Sequence, residues 1–171
     1  MPVNYLYHFD VLQFIIMEAK LYHRVKRRNA LKAESTITIQ RPIEEVFTYI
    51  TNTQEVPKWS PVKELKQTSE GALGIGTTVT QVVEFLGRTF ESTTEVTGYD
   101  PPKAFAFKAT SGPVLFEQHF TLSSTGGGTT VNAVLEGEPG GLFKLAGPLL
   151  QSTAQKQLDE QMGKLKKLLE G

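Results

Sequence analysis

From residue 35 the chain alternates apolar and polar positions. Ile37 and Ile39 share a face, and this period of two predicts a strand over 35–40. Pro42 stands where a first helical residue would, since a missing N–H is no loss there. Ile43, Val46, Phe47 and Ile50 follow at i, i+3, i+4 and i+7, an amphipathic helix of about two turns. A second short helix is expected over 53–59, limited by Pro57. Strands follow over 62–69, 77–85, 88–99, 104–111, 114–123 and 129–136. Turns at Leu86-Gly87, Asp100-Pro101-Pro102, Gly112-Pro113 and Gly126-Gly127-Gly128 are short enough to make antiparallel hairpins. Leu158, Met162, Leu165 and Leu169 then predict a closing helix over 149–169, roughly 30 Å long. Its apolar face runs back through Ala154, Leu150, Gly147 and Phe143, with Gly147-Pro148 expected to break or kink the start.

The order is one strand, two short helices, six strands and a long helix. Strands in a run followed by a helix predict an α+β fold, with the helix on one face of an antiparallel sheet. Strand alternation assigns Val79, Gln81, Val83, Phe85, Phe90, Ser92, Thr94 and Val96 to the inner face, followed by Phe105, Phe107, Ala109 and Ser111. Phe116, Gln118, Phe120, Leu122, Val131, Ala133 and Leu135 complete it. Glu84, Glu91, Glu95, Lys108, Glu117, His119 and Glu136 fall on the outer face. The phase of 62–69 stays open between Val62/Glu64/Lys66 and Lys63/Leu65.

Residues 1–34 read differently. Leu12, Ile15, Ile16, Ala19 and Tyr22 sit at helical spacing, followed by Arg24, Lys26, Arg27 and Arg28. We expect an extension made of an amphipathic helix and a basic linker, with the domain proper over 35–171. A membrane-surface or partner-binding arm is one reading of that extension, and an appended segment without a role is the other.

Charge narrows the function classes. Lys and Arg number 18 and Asp and Glu 18, in 171 residues. A chain without basic excess is a poor fit to nucleic acid, whose phosphates must be neutralised. Cysteine is absent, which removes disulfides, thiolate nucleophiles and thiolate metal sites. The longest apolar stretch, 11–17, is far below the roughly 20 residues of a membrane span, and the basic residues follow it rather than precede it. A soluble, cytoplasmic protein is expected.

Several segments together carry a resemblance. They are Ile37-Thr-Ile-Gln-Arg-Pro-Ile-Glu-Glu-Val-Phe-Thr-Tyr-Ile50, Trp59 with Pro61-Val62, Gly74-Ile-Gly76-Thr77, and Val96-Thr-Gly-Tyr-Asp-Pro-Pro102. The last runs from Pro148-Leu-Leu150 to Leu165-Lys-Lys-Leu-Leu-Glu170. In this order they resemble the SRPBCC superfamily, the helix-grip group of START lipid-transfer domains, polyketide cyclases/dehydratases and birch-pollen-allergen-like proteins. The closest likeness is to the polyketide cyclase-like branch, over about 35–170. The resemblance implies a curved seven-stranded antiparallel sheet wrapped around the long C-terminal helix, two short helices after the first strand, and a cavity between sheet and helix. It also implies that Trp59 lies near the cavity mouth.

A curved sheet is not filled by one helix, so inward side chains line the space that remains. The expected ligand-binding set is Trp59, Val79, Gln81, Val83, Phe90, Ser92, Thr94, Phe107, Ala109, Phe116 and Gln118, with Phe143, Gly147, Leu150 and Ala154 from the helix and its approach. That wall suits an apolar molecule with one or two oxygens to orient, and Gln81 and Gln118 need partners there or from each other.

Catalytic chemistry is sparse. His8 and His23 lie in the extension and His119 points outward, so no Ser–His–Asp arrangement assembles. Glu117 and His119 share a face but offer only two of the three or four ligands a metal needs. Glu64, Lys66, Tyr49 and Tyr99 are the remaining acid–base candidates. No catalytic residue, cofactor or metal is assigned. The leading expectation is a carrier or binding domain for a hydrophobic small molecule (a lipid, isoprenoid or polyketide-like compound). A polyketide cyclase/dehydratase-type enzyme in the same cavity is the alternative, and an interaction protein using the basic arm is a third.

Overall fold

The computed structural model describes residues 31–85, 87–139 and 147–171. The extension and its basic arm, Phe143 and the approach to the last helix lie outside the described residues, except for 31–34. Seven strands form one antiparallel sheet in the order β1-β7-β6-β5-β4-β3-β2. They are β1 (Leu31–Ile39), β2 (Val62–Gln67), β3 (Thr78–Phe85), β4 (Arg88–Asp100), β5 (Ala104–Ala109), β6 (Val114–Thr125) and β7 (Gly128–Pro139). Helices α1 (Ile43–Thr51) and α2 (Val56–Trp59) connect β1 to β2, and α3 (Gly147–Glu170) closes the chain. Five consecutive hairpins from β2 to β7, with β1 added beside β7, make this the α+β helix-grip arrangement.

Strand β1 starts at Leu31, four residues before the expected Ser35. Leu31 and Ala33 continue the buried alternation and pair with Gly137 and Leu135 of β7. The intervening Lys32 and Glu34 are simply its solvent face, which in sequence looks like a charged linker. Pro42 is the N-cap of α1 rather than its first residue, and Glu44 and Glu45 occupy the first turn, where the helix dipole favours them. Gly147-Pro148 stands at the very start of α3, with Pro148 in the first turn, where no hydrogen bond is lost.

The long helix does two jobs. Its apolar stripe (Leu150, Ala154, Leu158, Met162, Leu165 and Leu169) is buried against the sheet, with Met162 and Leu165 fully inaccessible. One polar flank covers the free edge of β1. Gln151 accepts from the Lys32 amide at 3.0 Å and donates to the Lys32 carbonyl. Gln155 repeats the pattern on Glu34, at 3.2 Å and 2.8 Å. Four residues of helix rise about 6 Å, close to the two-residue repeat of a strand, so two glutamines one turn apart stand in for a partner strand. Lys166 Nζ continues the row to the Thr38 carbonyl at 2.7 Å, and Glu170 accepts from the Gln40 amide at 2.8 Å.

Two register breaks set which side chains reach the interior. In β2 the pairing shifts between Val62 and Glu64, so Val62 and Leu65 both sit opposite inward residues of β3. The open phase thus resolves to neither simple alternation, and Glu64 and Lys66 turn to solvent. In β4 the shift between Val96 and Gly98 brings Tyr99 opposite Phe105, packed in the core beside Phe47.

Candidate functional site

Between the sheet and α3 the interior is solid in one part and hollow in another. Val46, Phe47 and Ile50 of α1 pack with Ile39, Phe120, Leu122, Val131 and the C-terminal half of α3. The hollow has two lobes. The first, of about 140 Å³, lies among Leu31, Phe90, Ser92, Val114, Leu135 and the α3 residues Ala154, Gln157 and Leu158. The second, of about 120 Å³, lies among Ile50, Val56, Trp59, Leu65, Val79, Gln81, Thr94, Phe105, Phe107 and Phe120. Pro61, Val83, Phe116, Gln118 and Gln161 border both lobes, so these are neighbouring parts of one space.

Rings dominate the wall. Phe105, Phe107 and Phe116 form a continuous tilt-and-edge series with centroids 5.7 and 6.1 Å apart, and Tyr99, which borders neither lobe, packs edge-on against Phe105 at 6.3 Å. Trp59 meets Phe120 edge-on at 6.1 Å. Such geometries hold the rings in place and leave a rigid apolar surface.

The polar groups of the wall divide into satisfied and unsatisfied. Ser92 Oγ donates to the Ser111 carbonyl at 2.9 Å, and Thr94 Oγ1 to the Val79 carbonyl at 3.4 Å. Trp59 Nε1 and Gln118 Nε2 are buried without a hydrogen-bond partner among the described residues. The amide nitrogen of Gln118 therefore makes no bond to Gln81, although both side chains are buried and border the second lobe. Ser111, expected inside, is exposed in the connection after β5, which ends at Ala109, and its hydroxyl accepts from the Thr93 amide.

Of the residues singled out from sequence, Trp59, Val79, Gln81, Val83, Phe90, Ser92, Thr94, Phe107, Phe116, Gln118 and Ala154 come together around this hollow. Ala109 and Leu150 are buried elsewhere in the interior and border neither lobe. Gly147 is the first residue of α3. Sequence reasoning missed Gln157 and Gln161, which flank the apolar stripe three residues after Ala154 and Leu158. Their signal was helical phase, obscured by their polarity. It also missed Pro61 and Leu73, which reach the wall from loops with no periodicity to read.

No Asp, Glu, Lys, Arg or His is among the described residues bordering either lobe. The acid–base candidates Glu64, Lys66, Tyr49 and Tyr99 are likewise not among them. Burial, helped by the neighbouring Glu55 carboxylate, pushes the Tyr49 phenol above its ordinary pKa. Glu55 is itself held below the usual carboxylate range, chiefly by its hydrogen bond to Lys58. Glu117 and His119 are 3.5 Å apart on the solvent side of β6.

The profile of the polyketide cyclase/dehydrase and lipid transport family matches residues 30–170. The chain belongs to this family. The matched stretch begins one residue before β1 and ends with α3, so it covers the whole described fold. No curated protein matches the sequence. Among solved structures, a START superfamily protein from Mycobacterium smegmatis superposes with a TM-score of 0.72 at 18% identity, covering 81% of this chain and 97% of the other. The Zhui aromatase/cyclase from Streptomyces sp. R1128 also reaches 0.72, at 14% identity and 82% and 94% coverage. The two-domain aromatase/cyclase StfQ from the steffimycin biosynthetic pathway gives 0.72 at 13% identity, over 90% of this chain and 55% of the other. At these identities the likeness concerns the fold. Among the described residues no helix is long and apolar enough to cross a membrane.

Proposed function

We propose that the protein encloses a hydrophobic small molecule, of lipid, isoprenoid or polyketide-like character, in the hollow between its sheet and α3, and acts as a binding or carrier protein. The observation that carries this reading is a wall of aromatic and aliphatic side chains with no ionisable group among the described residues that border it. Apolar surface removed from water stabilises a complex by about 25 cal/mol per Å², and a concave apolar site with a few polar groups is the usual form of a small-molecule site. General acid–base catalysis needs a titratable group within reach of the reacting atoms, and the described wall supplies none. Native mass spectrometry of protein purified from its own cells without detergent tests the reading. A co-purifying apolar compound is expected. Protein that arrives empty and takes up no apolar probe to saturation overturns it.

The fold shared with two aromatase/cyclases favours a second reading, in which the same cavity shapes a reactive polyketide chain and Gln81 or Gln118 orients it, Tyr49 being excluded because it borders neither lobe. A poly-β-ketone substrate turned over by the wild type but not by Gln81→Leu or Gln118→Leu supports it. Unchanged turnover in both removes those residues from the mechanism.

A further inference from the structure

Two buried N–H donors on this wall have no acceptor among the described residues. Trp59 is 3% exposed and Gln118 5%. Trp59 Nε1 and Gln118 Nε2 lack partners, and both side chains border the second lobe. A donor left unsatisfied away from water costs roughly 1–3 kcal/mol. The neighbouring hydroxyls of Ser92 and Thr94 are satisfied by backbone carbonyls, which leaves these two as the fully buried side-chain donors without a partner among the described residues. An indole N–H can only donate, whereas a carboxamide offers both a donor and an acceptor. Whatever completes the pair must therefore present an acceptor to Trp59.

Charge limits the acceptor further. A carboxylate or phosphate in this hollow would be desolvated with no cationic side chain among the described bordering residues, and an unpaired buried ion is far costlier than an unpaired amide. We propose that the cavity selects uncharged ligands that carry an acceptor oxygen on an apolar frame, such as a ketone, ester or quinone carbonyl, and that Trp59 and Gln118 donate to that oxygen. This rests on the hollow being a small-molecule site, and it adds the ligand's polarity: neither a bare hydrocarbon nor a fatty-acid anion.

Calorimetric titration of the full chain with three probes of similar shape tests it: 2-acetylnaphthalene, 2-ethylnaphthalene and, at pH 7, 2-naphthoate. The ketone is expected to bind roughly five- to hundredfold more tightly than the hydrocarbon, the range two net hydrogen bonds give, and the anion most weakly. Gln118→Leu should reduce the ketone's advantage while leaving hydrocarbon affinity in place. Trp59→Phe, which keeps a ring in the wall, should do the same. Equal affinities for ketone and hydrocarbon in the wild type, as when water alone completes the two donors, overturn the assignment. So does a ketone advantage that survives both substitutions, or tightest binding by the anion. In those cases hydrocarbon uptake still upholds the hydrophobic carrier. Failure of all three probes to bind overturns both.

Discussion

At the scale of single residues, position outweighs residue type. Gly126, Gly127 and Gly128 are identical in sequence and unlike in the hairpin between β6 and β7. A Cβ on Gly126 would meet nothing within 4 Å, whereas one on Gly128 would come within 2.6 Å of the Ile39 carbonyl oxygen. We expect Gly126→Ala to change stability by less than about 0.5 kcal/mol, as surface substitutions usually do. Gly128→Ala should cost roughly 1–3 kcal/mol, because backbone of β1 or β7 must move. Urea unfolding of the two variants checks this, and equal midpoints would refute it. Tyr49 shows the same dependence on place. Its phenol is raised by burial and by Glu55, so the folded state holds that proton more tightly than the unfolded chain. The associated stability is present below the ordinary tyrosine value of about 10 and is lost as pH rises through the folded value. Tyr49→Phe should therefore lose less stability than wild type in urea titrations between about pH 9 and 11. The inner-face identity of Gln118 and Phe116 was legible because alternation is local. That Gln118 and Trp59 lack partners was not, because a hydrogen-bond vacancy is a property of everything around an atom.

At the scale of elements, the pairing of α3 with β1 merits a direct test. A strand edge with free N–H and C=O groups is a template for another chain, and here Gln151 and Gln155 occupy two of its residues. Replacing both by Ala removes their hydrogen bonds but leaves a helix-favouring residue. Because these bonds are solvent-accessible, the expected loss is about 1–3 kcal/mol. The substitutions should also promote self-association, visible by size-exclusion chromatography. A double variant with the association state and stability of wild type would show the ladder to be incidental. The periods of two and of about 3.6 revealed the strands and the apolar stripe of α3 in sequence. They could not reveal this ladder, since Gln151 and Gln155 read as an ordinary solvated flank until the strand beside them is known. The bulges at Val62/Glu64 and Val96/Gly98 were hidden for a related reason: one extra residue shifts the phase without leaving a mark of its own.

At the scale of the whole molecule, the fold separates stability from capacity. The packed part carries Met162, fully inaccessible, with Leu158 and Leu165 beside it on the stripe. Met162→Ala should cost about 2–5 kcal/mol, by lost transfer energy and the void left behind. Ala154 borders the first lobe, so Ala154→Leu should fill space rather than create it. We expect it to reduce uptake of an apolar probe several-fold with a thermal midpoint equal to or above wild type, measured by calorimetry. Equal destabilisation by the two substitutions would mean that the interior is uniformly packed. An antiparallel sheet with α3 on one face was legible from the order of elements, and the curvature of that sheet around α3 was what the family resemblance implied. Much of the wall of the hollow was legible from alternation, but its division into two lobes was not, because that depends on volumes left between elements. Trp59 is the sole tryptophan of the chain and stands in the wall of that hollow. Its ultraviolet emission therefore comes from one known place, sensitive to what lies beside the ring. The protein carries a built-in optical gauge of its own filling, which needs no label and can be followed from millisecond mixing to equilibrium.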